Sequence, residues 1–134
     1  MLKYISLFLL LFFQSYIIYA DENIKIVLHL NDTFKLNHLK NSVKNIRTEL
    51  GKNVKIKIVI NGKAVQLMLR DNNTSVGIVK NILQNNVDIG LCHNALRNNN
   101  VNKKMLINGV NVLSQDGNVT IYKLQKMGYI YIKM

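Results

Sequence analysis

The chain has no Pro, no Trp and a single Cys in 134 residues, and only 7 of those residues are acidic. Each shortage excludes something. One Cys cannot build an intramolecular disulfide scaffold or a Cys-rich metal site. Seven scattered acids, three His and that one Cys show no metal-ligand spacing. Gly62, Gly77 and Gly90 stand apart, so no GxGxxG and no phosphate-cradling loop can be written. No Ser/His/Asp elbow is visible. Aromatics beyond residue 20 are limited to Phe34, Tyr122, Tyr129 and Tyr131, which gives no basic stretch interleaved with stacking rings and no expectation of a nucleic-acid partner.

What is present is apolar and basic. Hydrophobic residues make up 49%, which excludes a disordered, charge-dominated chain. The length suits one domain. Lys and Arg number 18, for a net charge of +11. Of these, 15 are Lys and 3 are Arg, beside 20 Asn and 16 Ile. Heavy Lys, Asn and Ile use without Pro is the mark of an AT-rich coding sequence. The charge therefore carries little weight as a sign of a polyanion partner. A basic protein resting on an anionic membrane surface is the weakest of the readings, since no polybasic run or basic amphipathic helix stands out.

Residues 1–20, MLKYISLFLLLFFQSYIIYA, have a basic start at Lys3, an apolar run and a small residue, Ala20, before polar Asp21-Glu22-Asn23. That is the layout of a cleaved secretory signal. The run is short for a membrane span, and Gln14-Ser15 interrupts it. The expectation is a periplasmic or secreted protein of 114 residues and charge +10, with no stable membrane insertion after cleavage. A single domain then covers 21–134. A lone thiol in an oxidising compartment has no internal partner.

Strands and helices alternate along that domain. Residues 24–30 (IKIVLHL) read as a buried strand. Asn31-Asp32-Thr33 offers caps, and Leu36, Leu39, Val43, Ile46 and Leu50 make one helical stripe over 34–50, stopped by Gly51. Lys40, Lys44 and Arg47 are expected to be a solvated face. Residues 54–60 (VKIKIVI) form a second strand, half exposed at its start. Asn61-Gly62 turns the chain, and 64–69 reads as helix or strand. Val76, Val79, Ile82 and Leu83 form a second helical face, with Thr74 or Ser75 as its cap. Residues 87–91 (VDIGL) are a strand broken by Gly90, followed by a short helix over 95–99. A connection, a short strand at 110–113, a helix at 118–127 opened by Asp116-Gly117-Asn118, and a last strand at 129–132 complete the chain. This alternation predicts an α/β layered sheet, mostly parallel, whose sites lie at the carboxyl ends of strands.

Cys92 leads the candidates for chemistry. It ends a strand just before a helix, with Asn94 a plausible cap. Free N–H groups and the dipole at a helix start favour a thiolate, the nucleophilic form of sulfur. A buried Cys acting as a small hydrophobe is the simpler reading from position alone. His93, adjacent in sequence, and His29, near the end of the first strand, are candidates to tune the thiol. Ordinary packed or exposed imidazoles are the alternative for both.

Four segments carry a resemblance. Ile89-Gly90-Leu91-Cys92-His93-Asn94-Ala95-Leu96-Arg97 is similar to a strand–Cys–x–Asn–x–hydrophobic signature. Leu106-Ile107-Asn108-Gly109-Val110-Asn111-Val112 is similar to an L-x-x-G-V-x-V stretch. Leu124-Gln125-Lys126-Met127-Gly128-Tyr129-Ile130-Tyr131-Ile132-Lys133 is similar to an L-Q-x-x-G-Y-x-Y-I-K ending, and Ile26-Val27-Leu28-His29-Leu30-Asn31 to a first strand. Together they resemble the DsrE/DsrF-like family of small sulfur-handling proteins over most of the domain, with 61–80 matching more loosely. The resemblance implies a flavodoxin-like three-layer α/β sandwich with about five strands, mostly parallel, assembled as a homo-oligomer, a trimer or hexamer. It implies that Cys92 accepts and passes sulfane sulfur as a persulfide, supported by His29, Asn31, His93, Asn94 and Arg97. No cofactor and no metal is implied. Partners would be a sulfur donor or acceptor protein, or a small thiol. The expected export departs from the cytoplasmic relay of well-studied members, and many members have no assigned reaction, so the resemblance leaves open whether this chain is an enzyme. The competing expectation is a non-catalytic oligomeric module that binds a small ligand, with Cys92 structural.

Overall fold

The computed structural model describes residues 23–134. The expected signal segment, 1–20, lies outside the described residues. Branched apolar runs become the strands: β1 (Lys25–Leu30), β2 (Lys55–Ile60), β3 (Asp88–Leu91), β4 (Val110–Val112) and β5 (Ile130–Lys133). Periodic runs become the helices: α1 (Leu36–Leu50), α2 (Val76–Leu83), α3 (His93–Asn98) and α4 (Gly117–Lys126). Three 3-10 turns, Thr33–Lys35, Gly62–Met68 and Lys103–Met105, complete the backbone. The ambiguous 64–69 stretch is thus a 3-10 helix in which Ala64, Val65 and Met68 are buried. β3 runs through Gly90 unbroken, because the residue pairs with Val59 on one side and Asn111 on the other.

All four strand pairings are parallel, in the order β4-β3-β2-β1-β5. The five-stranded α/β sandwich expected from the sequence is the architecture observed. The order explains the layers. Each of the first three crossovers steps one strand the same way, and right-handed connections put their helices on one face. There Ile26, Leu28, Ile58, Ile60, Ile89 and Leu91 meet Leu39 and Val43 of α1, Val79 and Ile82 of α2, and Leu96 of α3. The last crossover runs back past β1 to the opposite edge, so α4 covers the other face. A smaller core forms there from Val27, Val59, Ile121, Leu124 and Tyr129. Strand alternation sorts the residues: even positions of β1 and β2 serve the large core, odd positions the small one.

Arg47 departs from the solvated face expected of it. Its guanidinium is half-buried and donates four hydrogen bonds to main-chain carbonyls. They are those of Asn85 (2.9 Å), Lys52 (3.1 Å), Val54 (2.6 Å) and Asn86 (2.8 Å). The side chain ties the end of α1 to the turn before β2 and to the end of α2. Burial lowers its pKa from the ordinary arginine value. A rigid fork with five donors can serve these diverging carbonyls, and a lysine ammonium cannot. Arg47→Met should lower stability by about 2–3 kcal/mol, since hydrogen bonds from charged donors are lost while the aliphatic stem is kept. Arg47→Lys should recover less than half of that. Lys44→Met should stay within about 0.5 kcal/mol. Urea unfolding midpoints at constant m-value would check all three.

Candidate functional site

The same topology that makes two unequal cores also opens the site. The chain leaving β3 enters α3 on the large-core face, whereas the chain leaving β4 enters α4 on the other. Neighbouring strand ends whose connections diverge leave a crevice between them. Cys92 stands at the end of β3, where its N–H continues the ladder to Ile60 O at 2.9 Å. Asp116 stands at the start of α4 after β4. The two meet across that crevice.

Cys92 is 3% exposed and lies on the floor of a cleft of about 540 Å³. Its Sγ donates to Asp116 Oδ2 at 3.6 Å and accepts the Gly117 N–H at 3.3 Å. The helix start that reaches the sulfur is therefore that of α4. Cys92 does precede α3, as expected, but makes no side-chain cap bond to it. Gly117 permits the close approach: a Cβ there would sit 3.3 Å from both Cys92 Cβ and Asn61 Nδ2.

Asp116 is the hub. Oδ1 accepts the Asn118 N–H at 2.9 Å, an N-cap bond that begins α4. Oδ2 accepts both the thiol and Asn94 Nδ2, the latter at 3.2 Å. Arg97 in turn donates to Asn94 Oδ1 at 2.8 Å and fixes which way that amide points. The Asn118 N–H and then the Asn94 amide hold the Asp116 carboxyl below the usual carboxylate range. Arg97 therefore acts at second hand through Asn94, and does not meet the sulfur.

The expected supporting residues separate into three groups. Asn31 and Asn94 line the cleft with Cys92. His29, 6% exposed, stops one residue short of it. Its Nε2 is 2.9 Å from Asn61 Oδ1, and its Nδ1 is 2.9 Å from the Tyr131 hydroxyl on β5. An amide oxygen can only accept, so Nε2 donates to Asn61, and Nδ1 shares its hydrogen bond with the Tyr131 hydroxyl, a group able to donate or accept. Asn61, locked in this way, lines the cleft. His93 is half-buried, its side chain forms no hydrogen bond among the described residues, and it does not line the cleft. Neither imidazole touches the thiol, and the carboxylate takes the place expected of them.

Asp116, Asn61, Gly117 and Lys63 were not foreseen as site residues. Asp116-Gly117-Asn118 reads in sequence as a helix start, which it also is. The available signal was an acid at the carboxyl end of one strand, next to a strand ending in the only Cys. Strand order, which decides that β3 and β4 are neighbours, is not written in that segment.

No family model and no curated protein matches the chain. Solved structures do. The chain is similar to a protein of unknown function, MTH1491, from Methanobacterium thermoautotrophicum. That likeness has 27% identity and a TM-score of 0.75, over 83% of this chain and 99% of that one. A conserved protein of unknown function, BT1422, from Bacteroides thetaiotaomicron matches at 19% identity and a TM-score of 0.66, over 84% and 96%. The ychN protein from E. coli matches at 15% identity and a TM-score of 0.64, over 85% and 100%. These neighbours establish the fold along nearly their whole lengths and carry no stated activity.

The depressed Asp116 value has a measurable consequence. Its folded value lies below its unfolded one, so its stabilising contribution is complete above about pH 4 and is lost as pH falls through the folded value. As pH falls below about 4, the unfolded carboxylate value, wild type should lose urea stability more steeply than Asp116→Asn. Parallel curves for the two would show that this carboxylate contributes nothing specific.

Proposed function

We propose that the protein is a sulfur carrier of DsrE type, with Cys92 as the atom that accepts sulfane sulfur. The observation that carries this reading is the thiol on the floor of a cleft, hydrogen-bonded to an ionised carboxylate 3.6 Å away. In the proposed step the Cys92 sulfur attacks the outer sulfur of a donor R–S–SH. A new S–S bond forms on Cys92 as the donor's S–S bond breaks. Asp116 takes the thiol proton as the nucleophile forms and gives it to the departing R–S⁻. The products are Cys92–S–SH and R–SH, with no oxidant or reductant consumed. The Gly117 N–H at the start of α4 supports negative charge on sulfur during the exchange. The reading includes export, and assembly of several copies. Edge strand β5 supports assembly, since its four residues are exposed and Ile130 is 60% accessible.

A second reading has its own observation. A carboxylate held below its usual range is a weak proton acceptor, and Cys92 is packed into the large core. In a non-catalytic binding module, the thiol would only fasten Asp116 to the floor. One pair of variants separates the two. After incubation with a persulfide donor, intact-mass spectrometry should show a +32 Da adduct, the mass of one sulfur atom, on wild type and none on Cys92→Ser. Asp116→Asn should slow that uptake at least about 100-fold, the lower end of what a positioned base contributes. Equal labelling of wild type and Cys92→Ser would sink the carrier reading. Unslowed labelling in Asp116→Asn would remove Asp116 from the mechanism.

A further inference from the structure

The cleft above Cys92 carries little net charge. The chain carries a large positive charge, yet the cleft is lined by one cation, Lys63, and one anion, Asp116. Its remaining polar side chains are five carboxamides: Asn31, Asn61, Asn94, Asn98 and Asn99.

Three of the five are fixed from behind. Asn61 is held by His29 at 2.9 Å, and Asn94 lies between Arg97 and Asp116. Asn99 donates to Ala95 O at 2.8 Å and Gly62 O at 3.3 Å, and accepts from Gln66 at 3.3 Å. Asn31 and Asn98 have no side-chain hydrogen bond among the described residues, so their donors and acceptors are free for a ligand.

We propose that the sulfur donor for this site is a small peptidyl persulfide, a Cys–S–SH within a peptide of two or three residues, rather than an inorganic sulfane anion. The inference rests on the carrier reading given above. A carboxamide offers one acceptor and two donors side by side, which matches a peptide group. A neutral, carboxamide-lined cleft of about 540 Å³ falls among pockets of ~300–1,000 Å³ that enclose small organic ligands. An inorganic donor such as thiosulfate is a compact dianion. Oxyanions of that kind are held by arginine forks or by clustered backbone N–H groups. Here the sulfur sits beside a carboxylate that repels them, and among the described residues the one lining cation is Lys63. The sulfane atom ends a slim chain, which suits a sulfur that is nearly covered. The exchange is the one already balanced, with R the peptide.

The test compares donors on the full chain. Second-order rates of Cys92 persulfidation would be measured with a tripeptide persulfide and with thiosulfate. The tripeptide should be at least tenfold faster. The double variant Asn31→Ala/Asn98→Ala alters only exposed carboxamides, so folding is spared; it should cut the tripeptide rate several-fold and leave the thiosulfate rate unchanged. A thiosulfate rate equal to or above the tripeptide's would overturn the proposal and leave the carrier reading standing. So would a double variant that slows both donors alike. Absence of label from both donors would overturn the carrier reading and this one together. An S-methylated tripeptide, which cannot transfer sulfur, should also slow iodoacetamide alkylation of Cys92 in wild type and not in the double variant. Equal alkylation with and without it would overturn peptide recognition.

Discussion

The hydrogen bonds of one carboxylate hold three parts of this protein in register. Asp116 caps α4 through Oδ1 and collects Asn94 and the Cys92 thiol at Oδ2. Removing its side chain would leave the first turn of α4, which covers the second face of the sheet, without its cap. It would also free the sulfur and the amide that Arg97 orients. A helix cap and a site residue are here the same side chain. Its low titration range follows from that double duty, because each donor favours the charged form.

The sheet makes that meeting possible. Parallel strands need long crossovers, and three crossovers in one direction fill one face. The fourth must return on the other face. The divergence between the exits of β3 and β4 is the geometric price of that return, and the cleft is its product. The outer strands differ in their exposure. β4 pairs with β3 over three residues at one edge, while β5 at the other edge exposes all four of its residues. His29 links this edge to the cleft through Tyr131 on one side and Asn61 on the other. A change at β5 therefore has a short, hydrogen-bonded route to the cleft lining.

Charge plays a smaller part than the composition suggests. Lys57 pairs with Asp88 at 3.0 Å with both side chains partly exposed, a contact worth at most about 1 kcal/mol. Arg47 serves main-chain carbonyls and no acid. The cleft is nearly neutral. The basic excess is spread over lysines that do not converge on the thiol, which fits a compositional origin better than a polyanion partner.

Periodicity and turn residues determined the five strands, the four main helices and the parallel α/β class, because those signals are local. They also placed Cys92 at a strand end, just before a short helix. Helix-or-strand ambiguity at 64–69 persisted in sequence because a 3-10 helix buries residues with a period near three, between the two patterns. The tertiary structure alone decided the rest. It put Asp116 24 positions from Cys92 in sequence and 3.6 Å from its sulfur. It turned Arg47 from a surface charge into a main-chain clamp and moved His93 out of the site. These outcomes depend on strand order and on which face each crossover takes. Such choices are settled by burying the whole apolar surface at once, and no single segment records them.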